Sequence, residues 1–157
     1  MITSSRKEKT KVYLDNCAYN RPFDDQSQIR ISLESQAKLH IQRLVLDKEI
    51  VLAYSYMSLY ENNDNPHEER QFSISDFFRN ASLFVNYDKA EKIEAIAAEI
   101  MKYQIENKDA IHIACAIEAN CDFFITTDDN LEKKFKGNEI TICNPVDFVR
   151  VLEEKNE

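Results

Sequence analysis

Apolar residues follow two rhythms along this chain: short uninterrupted runs, and longer stretches where they recur every three or four positions. The runs Lys11–Leu14, Ile50–Tyr54, Leu83–Val85, Phe123–Ile125 and Ile140–Cys143 predict five strands. Apolar runs without alternation suit parallel strands covered on both faces. Helical spacing predicts a long helix over Gln28–Leu46, with Leu33, Ala37, Ile41, Leu44 and Val45 as its apolar face. Further helices are predicted around Ser58–Glu61, over His67–Arg79, over Asp88–Ile105, from Asn107 through Ile117, over Leu131–Phe135 and over Val146–Leu152. Asn16–Asp25 and Asn62–Pro66 have turn compositions and read as loops. Strands alternating with helices predict an α/β fold with a parallel sheet and right-handed crossovers. The expected organisation is one domain over 11–152, a polar tail over 1–10 and a short polar tail over 153–157.

Acidic residues sit at the ends of these strands. Asp15 follows the first strand, and Glu61 lies about two helical turns beyond the second. Asp109 opens the helix before the fourth strand, and Asp128 and Asp129 follow that strand after Thr126-Thr127. Open parallel sheets bind ligands just beyond the carboxyl ends of their strands. Taken singly, each acid reads as a cap or turn residue. Taken together, carboxylates a few ångströms apart repel and are protonated more readily unless a cation neutralises them. Oxygen-only ligation points to a hard ion, Mg²⁺ or Mn²⁺. Such ions also bind phosphate oxygens, which directs attention to phosphodiester or phosphoryl chemistry.

Composition narrows the field. A length of 157 residues suits one core, and 43% hydrophobic content argues against disorder. A single glycine leaves no material for a glycine-rich phosphate loop. Cys17, Cys115, Cys121 and Cys143 form no C-x-x-C pair, and His40, His67 and His112 form no zinc-type ligand spacing. No apolar run is long enough to span a membrane and no apolar signal core opens the chain, so a cytoplasmic protein is expected. A net charge of −8 argues against sequence-independent binding to duplex DNA. It leaves room for a nucleic-acid enzyme whose acids surround cations that invert the local field.

Leu14-Asp15, Ser58-Leu59-Tyr60-Glu61, Asp109-Ala110-Ile111-His112 and Thr126-Thr127-Asp128-Asp129 together resemble the ordered acidic motifs of PIN domains, over a span from about Lys11 to Leu152. The resemblance implies a three-layer α/β/α Rossmann-like fold with five parallel strands in the order 3-2-1-4-5. It implies a Mg²⁺- or Mn²⁺-dependent endoribonuclease acting on single-stranded RNA, as in the VapC-type toxins of toxin–antitoxin pairs. An antitoxin protein and a second copy of the chain are then candidate partners. Asp15, Glu61, Asp109 and Asp128 take the catalytic metal-site positions, with Asp129 as an adjacent fifth acid. Asn16 stands where many PIN toxins have a hydroxyl residue, and its amide can orient a substrate oxygen or a water. The loop from Tyr19 to Asp25 is closer to a less characterised PIN subgroup than to the toxins.

Several side chains stay open at this level. Arg21 is either a phosphate contact or the partner of Asp24 or Asp25. Glu34 is either a rim residue paired with Arg30 or Lys38 or a neighbour of the site. His112 hydrogen-bonds Asp109 or nearby backbone, or is a satisfied helix histidine. Lys133 and Lys134 join Arg21 as candidate strand contacts. Against the nuclease stands a PIN-like interaction module with little activity. A phosphatase or receiver domain fits poorly, because residues 15–17 are Asp-Asn-Cys and the fifth strand runs into Asn144-Pro145.

Overall fold

Five strands, β1 (Lys11–Leu14), β2 (Val51–Ser55), β3 (Leu83–Val85), β4 (Phe123–Ile125) and β5 (Thr141–Cys143), form one sheet in the order β3-β2-β1-β4-β5. Every pairing is parallel, with Tyr13 opposite both Ala53 and Phe124. The structure is a computed structural model and describes residues 8–155; the remainder of both expected tails lies outside the described residues. The strand order and the α/β class are those expected.

The side-chain alternation of the strands divides the interior into two cores. Val12, Leu14, Leu52, Phe123 and Ile125 point to one face and Tyr13, Ala53 and Phe124 to the other. The first face is covered by α1 (Asn16–Asn20), α2 (Ile29–Leu46), α4 (Glu68–Phe78) and α8 (Pro145–Lys155). The second is covered by α5 (Ala90–Met101) and α6 (Asn107–Glu118), which pack against each other and against Tyr13 and Phe124. Between them in the chain, α3 (Tyr56–Asn63) continues directly from β2, and α7 (Asp129–Lys134) follows β4. Phe124, Ile113 and Ile125 have no exposed surface. Each side chain of this size contributes about 1.5–3 kcal/mol when fully buried.

Four local expectations are corrected. Asn16–Asp25 is a short helix, α1, followed by a 3₁₀ turn over Arg21–Phe23. Asp15 caps α1 through its side chain, which accepts from the Asn16 N–H. The inward face of α2 is Glu34, Ser35, Lys38, Ile41, Leu44 and Val45, while Leu33 is half exposed. The buried Lys38 amine lies over the rings of Tyr19 and Phe77, and burial pushes it down to about 8. The helix expected to run to Ile105 stops at Met101, since α5 and α6 form an antiparallel pair that needs a turn. At the other end, α8 continues to Lys155.

With one glycine in the chain, three turns after helices place other residues in the left-handed region: Lys48 (φ 60°), Gln104 (φ 65°) and Asn120 (φ 59°). Glycine tolerates this conformation without a Cβ clash. Gln104→Gly is therefore expected to raise stability by about 0.5–1 kcal/mol, the relief of left-handed strain being partly offset by the looser unfolded chain. Urea unfolding of the two proteins measures it, and an unchanged or lower midpoint would refute the strain at this turn.

Candidate active site

Each acid reaches the carboxyl edge of the sheet by a different local device. Asp15 is the first residue after β1, and its backbone N–H donates to Ile125 O at 2.9 Å, which ties it to β4. Asp15 is almost fully buried (6% exposed), and its carboxylate is held by three donors. These are the Asn16 N–H at 2.8 Å, the Thr126 hydroxyl at 2.9 Å and the Cys17 thiol at 3.4 Å. Glu61 is carried by α3, which starts at the end of β2 on a capping box made by Ser55 and Ser58. Asp109 lies in the first turn of α6. Asp128 is the N-cap of α7, with Oδ1 accepting from Asn130 N–H at 3.0 Å.

These four carboxylates line one cavity of about 430 Å³, together with Asn16, Cys17, Asn20, Arg21, Asp24, Lys108 and Thr127. A second cavity of about 400 Å³ adjoins it and shares Asn16, Asn20, Glu61 and Lys108. It continues past Asn65, His67 and Arg70, so the two form a groove along α3 and the start of α4. A larger cleft of about 610 Å³, around Lys11, Glu49 and Asp122, contains none of these acids.

The electrostatics bear the mark of proximity. Burial, then the charges of Asp15 and Asp128, push the Asp109 carboxyl up to about 6. Among the described residues, no three His, Cys, Asp or Glu side chains are close enough together to hold a metal ion as they stand. The carboxylates of Asp15, Glu61 and Asp128 are instead held by protein donors. Cys17 is no nucleophile, because burial and then the Asp15 charge push its thiol up to about 12, and only the thiolate attacks.

Other expected residues fall in different places. Asp129 does not line the cavity: Arg30 grips its two oxygens through two nitrogens, each at 2.7 Å. Arg21 lines the cavity and also pairs with Asp24 at 3.1 Å, so both of its expected roles are compatible with its position. Glu34 is nearly inaccessible and sits between Arg21 Nε at 3.2 Å and Arg30 Nε at 3.5 Å. The Arg21 contact is out of line for a hydrogen bond, so its attraction is coulombic. Lys133 and Lys134 line neither cavity of the groove.

Two features escape the sequence: the place of Lys108 and the partners of His112. Lys108, one position before Asp109, lines both cavities, and only its neighbour's motif could have flagged it. His112 bonds neither Asp109 nor backbone: its Nε2 meets Glu61 Oε1 at 2.5 Å and its Nδ1 meets Tyr13 Oη at 2.6 Å. Partners so distant in the chain leave no periodic signal.

No helix among the described residues is long and apolar enough to cross a membrane. A comparison with curated proteins gave no match. The family model of the PIN domain matches residues 12–136, a stretch that runs from within β1 through β4 and contains every acid of the groove, and the chain belongs to the PIN domain family.

Proposed function

We propose that this protein is an endoribonuclease that hydrolyses phosphodiester bonds of single-stranded RNA with the help of Mg²⁺ or Mn²⁺. PIN domains are generally nucleases that act on RNA and use divalent metals. The observation that carries the reading is the convergence of Asp15, Glu61, Asp109 and Asp128, from four separate parts of the chain, on one cavity.

The donor set suits a hard dication. The four acids offer only carboxylate oxygen, and burial and then the charges of Asp15 and Asp128 make Asp109 protonated more readily than usual. In this reading Asp15, Glu61, Asp109 and Asp128 would hold the ion, and Asp129, gripped by Arg30, would not. When bound, the ion supplies Lewis-acid stabilisation of phosphate charge and a lowered pKa for water. Asp15 enters the site already oriented by Thr126 and the Asn16 amide, which fixes one ligand before any ion arrives. Arg21 and Lys108 supply positive charge for the RNA backbone, and Asn16, braced by Asn20 at 3.1 Å, offers an amide to a phosphate oxygen or a water. The groove past Asn65 and Arg70 gives the strand a path on one side of the scissile phosphate.

The direct test is cleavage of a labelled single-stranded RNA with Mg²⁺, with Mn²⁺ and with EDTA. Cleavage with either ion and none with EDTA is expected. Failure with both ions would favour the interaction-module reading.

A thermal test reports the ion without any substrate. A cation that binds only the folded state stabilises it by about 2.7 kcal/mol at a hundredfold excess over Kd. In a chain of this size that raises Tm by about 5–10 °C. The rise should shrink sharply in Asp15→Asn. An equal rise in that variant would place the ion elsewhere.

A further inference from the structure

Behind Glu61 lies a chain of hydrogen bonds whose direction can be read from the backbone donors at its far end. His112 Nε2 lies 2.5 Å from Glu61 Oε1, and His112 Nδ1 lies 2.6 Å from Tyr13 Oη. Tyr13 Oη in turn lies 2.7 Å from Ser55 Oγ and 3.1 Å from Ser58 Oγ. Tyr13, Ser55, Ser58 and His112 are all buried, so these groups must satisfy one another.

The protons can be counted from the backbone inward. Ser55 Oγ accepts from the N–H groups of Met57 at 3.2 Å and Ser58 at 3.3 Å. That fills both of its lone pairs, so its own proton goes to Tyr13 Oη. Ser58 Oγ accepts the Ser55 N–H at 3.1 Å. Its proton has two neighbouring acceptors, the filled Ser55 oxygen at 3.4 Å and Tyr13 Oη, and so it too goes to the tyrosine. Tyr13 Oη then accepts twice, and its proton has one destination, His112 Nδ1. The imidazole is left with a single N–H, on Nε2, directed at Glu61. With both serine protons on Tyr13 Oη, a doubly protonated ring would ask that oxygen to accept a third hydrogen.

We infer that His112 is a positioning residue for Glu61: Tyr13, Ser55 and Ser58 lock its ring in the Nε2–H form, and that N–H pins Oε1 of Glu61, leaving Oε2 as the oxygen a cation would take. The chain starts on the first amides of α3 and ends on a carboxylate of the same helix. It thereby fastens α3 to β1 through Tyr13 and to α6 through His112. Tyr13 is itself clamped, stacked on Phe124 with ring centroids 5.5 Å apart. Partners that fix the orientation of a metal-binding side chain typically change affinity about 10–100-fold when removed. This role rests on the proposed assignment of Glu61 to the cation site.

Two measurements test it. In metal-free protein labelled with ¹⁵N-histidine, the resonances absent from His112→Asn identify this ring. Nε2 is expected to be protonated and Nδ1 bare; an Nδ1–H ring or an imidazolium would overturn the chain. Mn²⁺ affinity, read by electron paramagnetic resonance, is expected to fall about 10–100-fold in His112→Asn. It should recover in part in His112→Gln, whose amide reaches farther toward Glu61. In a Glu61→Gln background the same His112→Asn change should cost nothing further, because its effect passes through Glu61. An equal loss in both backgrounds would mean general destabilisation and overturn the role. The two failures are separable. Unchanged affinity in Glu61→Gln with the Nε2–H form present removes Glu61 from the cation site, and this role with it. A different ring form with weakened Glu61→Gln binding removes the hydrogen-bond chain alone.

Discussion

Asp109→Asn is expected to cut RNA at least about 10²-fold more slowly than the wild type, the cost of losing one preorganised charged group at a phosphoryl centre. The same substitution is expected to make the metal-free protein more stable. Burial, Asp15 and Asp128 raise the folded-state Asp109 carboxyl from 3.8 to about 6. A raised pKa means that the folded protein holds this proton more tightly than the unfolded chain. The associated stability is present below the unfolded pKa and is lost as pH rises through about 6. Above that pH the folded protein carries an ionised carboxylate beside two others, and asparagine removes it. Each tenfold change in proton affinity corresponds to about 1.4 kcal/mol. Asp109 is only half-buried and its charge is screened by solvent, so the net gain is about 1 kcal/mol. In EDTA the variant should therefore melt about 2–4 °C above the wild type at pH 7.5, with little difference at pH 4. With saturating Mg²⁺ or Mn²⁺ the order should reverse, because the wild type gains the ion and the variant does not. Equal melting at pH 7.5 in EDTA would show that these acids do not repel one another. Cleavage at the wild-type rate by a folded variant would remove Asp109 from the chemistry.

The fold was legible because its evidence is local. Phe123-Phe124-Ile125 reads as a doubly covered strand from three adjacent residues, and the structure buries all three. The helices of the second face, α5 and α6, show their buried isoleucines and alanines at clear helical spacing. The first half of α2 resisted the same logic because its buried side is polar. Glu34, Ser35 and Lys38 turn inward, so a search for apolar periodicity settles one position off and picks Leu33 and Ala37. α1 was hidden for a related reason. Asn16-Cys17-Ala18-Tyr19-Asn20 has too few turns to show a period, and Asp15 reads as a site acid without its second role as a cap. The acids of the groove were legible as residues at strand ends. Their partners were not, because a bond such as His112 to Glu61 joins positions 51 apart. Asp128 and Asp129 illustrate the limit well. Adjacent in sequence, they look equivalent, yet as the cap and first residue of α7 they diverge, one lining the cavity and the other meeting Arg30.

Glu34 and Asp129 should separate by thermal melting. Glu34→Gln is expected to destabilise the protein by about 2–4 kcal/mol, since removing one member of a buried ion pair leaves the other poorly compensated. Arg21 is the partner most affected: its side chain is 18% exposed, faces Glu34 at 3.2 Å and keeps only the more exposed Asp24, while the more exposed Arg30 can turn to water. The corresponding fall in Tm is about 5–12 °C. The loss should extend to function, because Arg21 lines the cavity and Glu34 holds the guanidinium in place there. Asp129 is paired just as closely, at 2.7 Å, but its carboxylate and the Arg30 head are both open to solvent. Exposed pairs gain little because water screens them and two long side chains lose freedom. Asp129→Asn should therefore leave both the metal-free Tm and the cation-induced rise close to wild type. Loss of that rise in Asp129→Asn would place Asp129 among the groups that hold the ion. A Glu34→Gln protein that melts with the wild type would mean that the two guanidiniums find other partners, and that burial of this carboxylate is not what fixes Arg21 at the cavity wall.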